Sequence, residues 1–334
     1  MWPGNRKFIY NSEGMIFEIM DDFALRPCGK LDGFVDYKVT FHPQKEIVAY
    51  ATKEGMVVVS DFNGNCFWKY KSIGTPILKH DSPIYSICFS KDGSEVWIVD
   101  RLGFGDIFIS AVDAETGIEN SANTFEDPFS GLSYGFTLSH SPTSVLIEFW
   151  AGDYGVEVWE LNNTSSKMSH SVLFTGEYRI GQQCHGLLTF HPNENRFMAQ
   201  EQNENLFYCY SWPDKSLIAK QRELTEEEEE KEDSCSSIYF AYLKNGMAII
   251  KSELGRLHLF DPEKMERIEE IIIEGFEPMP INEIYRGLKE EELCLPTKSF
   301  ERLGNLMVVT TDSNYSKVKG IIIFLEDDVI VQTR

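Results

Sequence analysis

The chain alternates apolar and polar positions with period two over short runs, each closed by a turn. The stretch 80–113, HDSPIYSICFSKDGSEVWIVDRLGFGDIFISAVD, shows it best. Ile84, Ile87 and Phe89 precede the turn Ser90-Lys91-Asp92-Gly93; Val96, Ile98 and Val99 follow it, then Ile107, Phe108 and Ile109. An Asp-Gly pair between such runs predicts a β-hairpin, because glycine takes a positive φ without a Cβ clash. The unit recurs at intervals of roughly 50 residues. Its first strands end near Phe41, Phe89, Leu138, Phe190, Phe240 and Phe300. Second strands are expected at 46–52, 95–100, 144–150, 196–202, 247–252 and 306–312. Third strands are expected at 56–62, 106–113, 156–161, 206–212, 256–261 and 321–326. Most third strands are introduced by glycine or asparagine: Gly55, Gly105, Gly155, Asn205, Gly255 and Gly320. A weaker outer strand is expected at 66–71, 171–175, 217–220, 268–273 and 329–333.

Each unit therefore reads as a four-stranded antiparallel meander. One such sheet cannot bury both of its faces, whereas radial repetition can, and it leaves only short edges. The fold expected is all-β, a single β-propeller domain over residues 1–334. Residues 7–12, 15–21 and 24–28 add a partial unit without a clear first strand. Six full units and this partial one predict seven blades; six blades with an N-terminal extension is the alternative.

The repeats resemble the WD40 family of β-propellers. His80…Ile84…Phe89-Ser90-Lys91-Asp92-Gly93 is similar to that family's Gly-His…Val…Phe-Ser-Pro-Asp-Gly. Gly155-Val156-Glu157-Val158-Trp159-Glu160 resembles its third strand ending in Trp-Asp, and Gly55 to Asp61 matches with Ser60 in place of Trp. Phe41-His42-Pro43 and Phe190-His191-Pro192 match the first turn. The resemblance implies a protein-interaction platform, usually without catalysis.

Composition narrows the function. The formal net charge is −22, which repels polyphosphates, so no nucleic-acid partner is expected. No apolar run approaches the ~20 residues of a membrane helix, so no membrane partner is expected. The start, Met1-Trp2-Pro3-Gly4-Asn5-Arg6-Lys7, has no apolar signal core. Seven cysteines, an odd number without a CxxC pair, fit reduced thiols in a cytoplasmic protein.

Two insertions break the repeat, at 222–235 and 274–298. In a meander, connections from outer to first strands leave from the same end as second-to-third turns, so both insertions belong to one face. The first carries Glu226, Glu227, Glu228, Glu229 and Glu230. It is either a solvated loop, since like charges repel and extend, or a docking loop for a basic partner. The second holds a short helix candidate after Pro280, with Asn282 as N-cap and Ile284, Tyr285 and Leu288 at helical spacing. Glu290, Glu291 and Glu292 follow, and acid in a last turn opposes the helix dipole. This segment is either a lid over the sheets or a recognition element.

Candidate chemistry is sparse. His80-Asp81-Ser82 has triad residue types, but sequence neighbours cannot place the histidine between the other two. Asp61, Asn63 and Asn65 have the first offsets of a calcium loop, but Gly64 is misplaced and Ser72 stands where Glu is needed; Asn63-Gly64 reads as a hairpin turn. Cys184-His185 has no zinc-spaced partner, and His42 and His191 read as turn residues. Gly103-Phe104-Gly105 lacks a third glycine and a helix. The first strands offer hydroxyls and apolar groups, with Glu301 as the carboxylate exception.

The expected function is a non-catalytic scaffold that binds a basic protein through the insertion-bearing face, Tyr285 included, with no cofactor. An inhibitory or immunity-type binder of a basic protein is a narrower version. The alternative is a metal-dependent hydrolase, lactonase-like, with its site in the channel.

Overall fold

A computed structural model describes residues 7–10, 14–20, 25–74, 83–103, 105–131, 133, 135–151, 156–164, 167–176, 188–191, 194–201, 206–220, 239–242, 246–251, 257–271, 300–303, 306–311, 319–324 and 331–333. Their elements are strands. Sheet I comprises β1 (Lys7–Tyr10), β2 (Met15–Ile19) and β3 (Leu25–Lys30). Sheet II comprises β4 (Phe34–Phe41), β5 (Ile47–Thr52), β6 (Met56–Asp61) and β7 (Cys66–Lys71). Sheet III comprises β8 (Ile84–Phe89), β9 (Glu95–Leu102), β10 (Asp106–Asp113) and β11 (Glu119–Glu126). Sheet IV comprises β12 (Gly135–His140), β13 (Val145–Trp150), β14 (Val156–Thr164) and β15 (Lys167–Gly176). Sheet V comprises β16 (Leu188–Phe190), β17 (Arg196–Glu201), β18 (Leu206–Ser211) and β19 (Leu217–Lys220). Sheet VI comprises β20 (Tyr239–Tyr242), β21 (Ala248–Lys251), β22 (Leu257–Asp261) and β23 (Glu266–Ile271). Sheet VII comprises β24 (Phe300–Leu303), β25 (Leu306–Thr311), β26 (Lys319–Phe324) and β27 (Val331–Thr333). Every sheet is an antiparallel meander whose strands pair in chain order.

The chain divides into two compact units, Met1–Tyr178 with sheets I–IV and Arg179–Arg334 with sheets V–VII. In the first unit successive sheets pack face to face. Sheet III shows why. Its strand alternation sends Val96, Ile98 and Val112 toward sheet II, where they bury Ala49, Ala51, Val57 and Val59. The alternate residues Trp97, Val99, Ile107, Ile109 and Ala111 pack on Ile147, Phe149, Trp159 and Leu161 of sheet IV. Sheet II divides the same way, with Val48, Tyr50 and Val58 against Phe8 and Ile16 of sheet I. Each fully buried aliphatic side chain contributes about 1.5–3 kcal/mol. In the second unit, Met198, Phe207 and Cys209 of sheet V pack on Ala248 and Phe260 of sheet VI.

Two sequence expectations change. Strand β11, ENSANTFE, was not anticipated, because its sequence shows no apolar alternation. Its polar side chains bind the next sheet instead. Ser121 donates to Asn163 at 2.7 Å, the Asn123 amide donates to the Met168 carbonyl at 3.1 Å, and Asn163 donates to Glu95 at 3.0 Å. First strands also run past the last aromatic or leucine of their pattern, past Leu138 to His140, past Phe240 to Tyr242 and past Phe300 to Leu303; after His140 the turn is two residues shorter, closed by Ser141 N–H to the Ser144 carbonyl instead of the six-residue pattern of Ser90 to Glu95. The N-terminal unit forms the three-stranded sheet its pattern suggested.

The turns between first and second strands lock neighbouring sheets. His42 is buried beneath Gly93 of the following sheet; a Cβ on Gly93 would lie 2.4 Å from the His42 ring, and Gly93 has φ 77°. Gly93→Ala should therefore cost at least about 2 kcal/mol, the αL penalty plus a clash with a ring that has no room to yield. Gly64→Ala, also at positive φ but with nothing within 4 Å of its Cβ, should cost only about 1–2 kcal/mol. Chemical denaturation midpoints of the two variants check the difference; equal losses would show that the His42 contact is slack.

Candidate functional site

The sequence-derived partner-binding residues Glu226, Glu227, Glu228, Glu229, Glu230, Tyr285, Glu290 and Glu291 lie outside the described residues, as do His80, Asp81, Ser82, Cys184 and His185. The described residues instead bring together a polar cluster at one end of sheets II–IV, where connections between sheets leave.

Its centre is Asp100-Arg101 near the end of β9. Adjacent strand residues point to opposite faces, so the two side chains serve opposite seams. Asp100 turns toward sheet II and has no exposed surface. It receives the Ile73 N–H at 3.2 Å, beside the Gly74 N–H that donates to the Ser72 hydroxyl at 3.0 Å, and so holds the connection that enters sheet III. Arg101 turns toward sheet IV, 4% exposed, and holds the connection that leaves. Its guanidinium donates to the carbonyls of Gly103 at 3.1 Å, Ser133 at 2.8 Å and Gly131 at 2.6 Å. Asp127 lies 3.8 Å from it and accepts from the Ser133 hydroxyl at 2.6 Å and the Phe129 N–H at 2.9 Å. Lys38 of β4 donates to the Ile84 carbonyl, and both Lys38 and Arg101 lie over the Tyr85 ring. Second-to-third turns share this end: Ser72 N–H donates to the Gly55 carbonyl and Asp127 N–H to the Gly105 carbonyl.

Burial pushes the Asp100 carboxyl up to about 6, with the polar groups of Ser72, Ile73 and Gly74 and the Lys38 charge opposing. A shifted carboxyl in a cleft marks catalytic sites. Here the carboxyl is buried and its donor, the Ile73 N–H, belongs to the connection that enters sheet III, so it acts as a staple. The hydroxyls on the first strands are likewise engaged. Thr40 accepts the Phe89 N–H at 3.5 Å and Ser86 accepts the Leu138 N–H at 3.0 Å, each bonding one first strand to the next. Ser139 donates to the buried Glu148 at 2.6 Å.

The other sequence candidates resolve into turns. Asp61 accepts the Asn65 N–H and side-chain amide, both at 2.8 Å, across a turn with Gly64 at φ 83°. Asp113 and Asp261, also at third-strand ends, cap their turns in the same way through Thr116 and through Glu263 and Lys264. Among the described residues no group of three His, Cys, Asp or Glu side chains is placed to hold a metal. Sequence reasoning missed Asp100 and Arg101. The available signal was a charged pair closing an otherwise apolar second strand.

Asp100 supplies a pH test. Its folded pKa lies above the unfolded carboxylate value, so the native state holds the extra proton between pH ~4 and ~6 and loses stability as pH rises through that window. Asp100→Asn should match the native protein near pH 4 and exceed it by about 2–3 kcal/mol at pH 7. Denaturation across pH checks it, and a constant difference between the two proteins would refute the assignment. Arg101→Met should cost about 3–5 kcal/mol by stranding buried carbonyls and Asp127.

No family model matches the chain, and no curated protein matches it. Solved structures do. BamB from Moraxella catarrhalis is 11% identical, with 98% of this chain and 79% of that one covered, at TM-score 0.49. The dihydro-heme d1 dehydrogenase NirN in complex with DHE is 13% identical over 98% of this chain, at TM-score 0.52. This chain covers 61% of that one, less than two-thirds of its length. The second of these is a β-propeller of four-stranded antiparallel sheets, and at that identity the likeness speaks to fold alone. With its repeated antiparallel meanders, the chain has the β-propeller fold.

Proposed function

We propose that this chain is a non-catalytic protein-interaction scaffold, built as one seven-bladed propeller of the cytoplasm, that binds a basic protein through its insertion-bearing face. The observation that carries the reading is where acid is concentrated relative to the repeat. The glutamates 226–230 fall between β19 and β20, and Glu290 and Glu291 between β23 and β24. Both intervals are connections from a fourth strand to a first strand. In the first unit such connections are short and clamped by Asp100 and Arg101, and they leave beside the second-to-third turns. Long acidic versions of the same connection in successive sheets give the ring a charged face without disturbing its core. The chain's net charge of −22 suits the same partner. Steering by such a face raises association rates and makes them salt-sensitive. An inhibitor or immunity-type protein that masks a basic surface is the narrower form of this reading.

Affinity capture from the host lysate at low and high salt, alongside a variant with residues 226–230 replaced by Ser/Gly, tests it. A specific basic partner should be lost at high salt and weakened at least tenfold in the variant. Binding that is indifferent to salt and to the replacement would reject the acidic face as the contact.

A further inference from the structure

His42, which the sequence marks only as a turn residue, holds a geometry that depends on its being neutral. In the turn after β4, the His42 Nδ1 accepts two backbone N–H groups, those of Gln44 and Lys45, both at 3.0 Å. A nitrogen with two donors aimed at it must present a lone pair, so the proton resides on Nε2. That side of the ring fits against Gly93 in the turn of the next sheet, where a Cβ would lie 2.4 Å from Nε2. The Phe89 ring closes the site edge-on at 5.1 Å, and the histidine is 3% exposed.

From this geometry we propose that His42 is an acid-released latch between sheets II and III, holding the two turns together while the imidazole is neutral and letting go when it is protonated. A proton on Nδ1 faces two N–H donors, so both turn bonds must break for the cation to form. The cation would also be buried. Lys45, on the same turn, repels it. Asp92 on the β8–β9 turn and Glu115 on the β10–β11 turn face it with opposite charge, but both are engaged: Lys45 pairs with Glu115 at 2.8 Å, and Asp92 accepts from Ser90 and Ser94 at 2.7–3.0 Å. Burial, followed by the Lys45 charge, holds the imidazole below its ordinary range. The latch is therefore closed above pH ~6.5, and its contribution is lost as pH falls below that value toward the folded pKa.

The second unit repeats the backbone pattern of this turn. His191 N–H donates to the Arg196 carbonyl and Arg196 N–H to the Glu194 carbonyl, the same pattern as His42 to Ile47 and Ile47 to Lys45. A Cβ on Gly246, in the turn of the next sheet at φ 86°, would lie 2.9 Å from the His191 Nε2. The seam between sheets III and IV is built differently. Ser90 and Ser141 occupy the turn position there, and His140 and Lys91 bond the Phe89 and Pro142 carbonyls. Acid would thus loosen the seam between sheets II and III at its turn end.

Amide hydrogen exchange on the full chain, corrected for intrinsic rates, tests the proposal. Protection of the Gln44 and Lys45 amides should fall by up to about tenfold per pH unit as pH drops below ~6.5, while Ala49 and Ala51 in β5 hold steady. His42→Asn keeps an acceptor oxygen but cannot titrate, and should retain protection throughout. Protection that is independent of pH down to about 4.5 in the native chain, or the same acid loss in His42→Asn, would overturn the latch. If that variant does not fold, imidazole nitrogen shifts of the native chain decide: a bare Nδ1 at neutral pH is expected, and a protonated Nδ1 refutes the latch.

Discussion

The structure depends on one constraint: its sheets are apolar on both faces. In sheet III the second strand runs Val96, Trp97, Ile98, Val99 without a polar break, and all four are buried. A strand of this kind has no solvent side, so the sheet must be covered twice. Neighbouring sheets of the same construction supply the cover, and the alternation of side chains decides which residue meets which neighbour. The resulting clusters join sheets I to II, II to III and III to IV in the first unit and V to VI in the second.

Apolar packing alone would let such faces slide. The polar groups at the margins fix the register. At one end Asp100 and Arg101 grip the connections on either side of sheet III. At the other, histidines sit beneath glycines of the following turn. Along the first strands, Thr40 and Ser86 accept backbone N–H groups of the adjacent sheet. Toward the outside, the Trp68 indole donates to the Ala114 carbonyl at 2.9 Å, and Gly117 leaves room for its ring. Buried charges and imidazoles are costly to hold in place, so these contacts stabilise less than the aliphatic clusters and specify more. They also make the seams responsive to protonation in opposite senses: a buried carboxylate favours the native state when it gains a proton, and a lone-pair histidine favours it when it does not.

This construction separates the packed core from the connections between sheets. The core is set by short strands and clamped connections, so a connection can lengthen and acquire charge without changing the packing beneath it. The acidic stretches of the chain occupy such connections in sequence.

The repeat length, the meander within each repeat, the glycine-marked third strands and the N-terminal partial sheet were all legible in the chain, because period-two burial writes itself directly into the order of residues. So were the turns at Asp61 to Asn65 and Ser90 to Gly93, whose residue types demand their backbone. Other features were settled only in three dimensions. Strand β11 is held by Asn and Ser side chains bonding to a different sheet, a partner about 40 residues away with no local signature. His42 and Gly93 meet because one sheet packs on the next, and Asp100 and Arg101 diverge because neighbouring strand residues face opposite seams. Local alternation determines a strand from its own sequence. Which groups converge at a seam depends on contacts distant in the chain, and only the packed sheets bring those together.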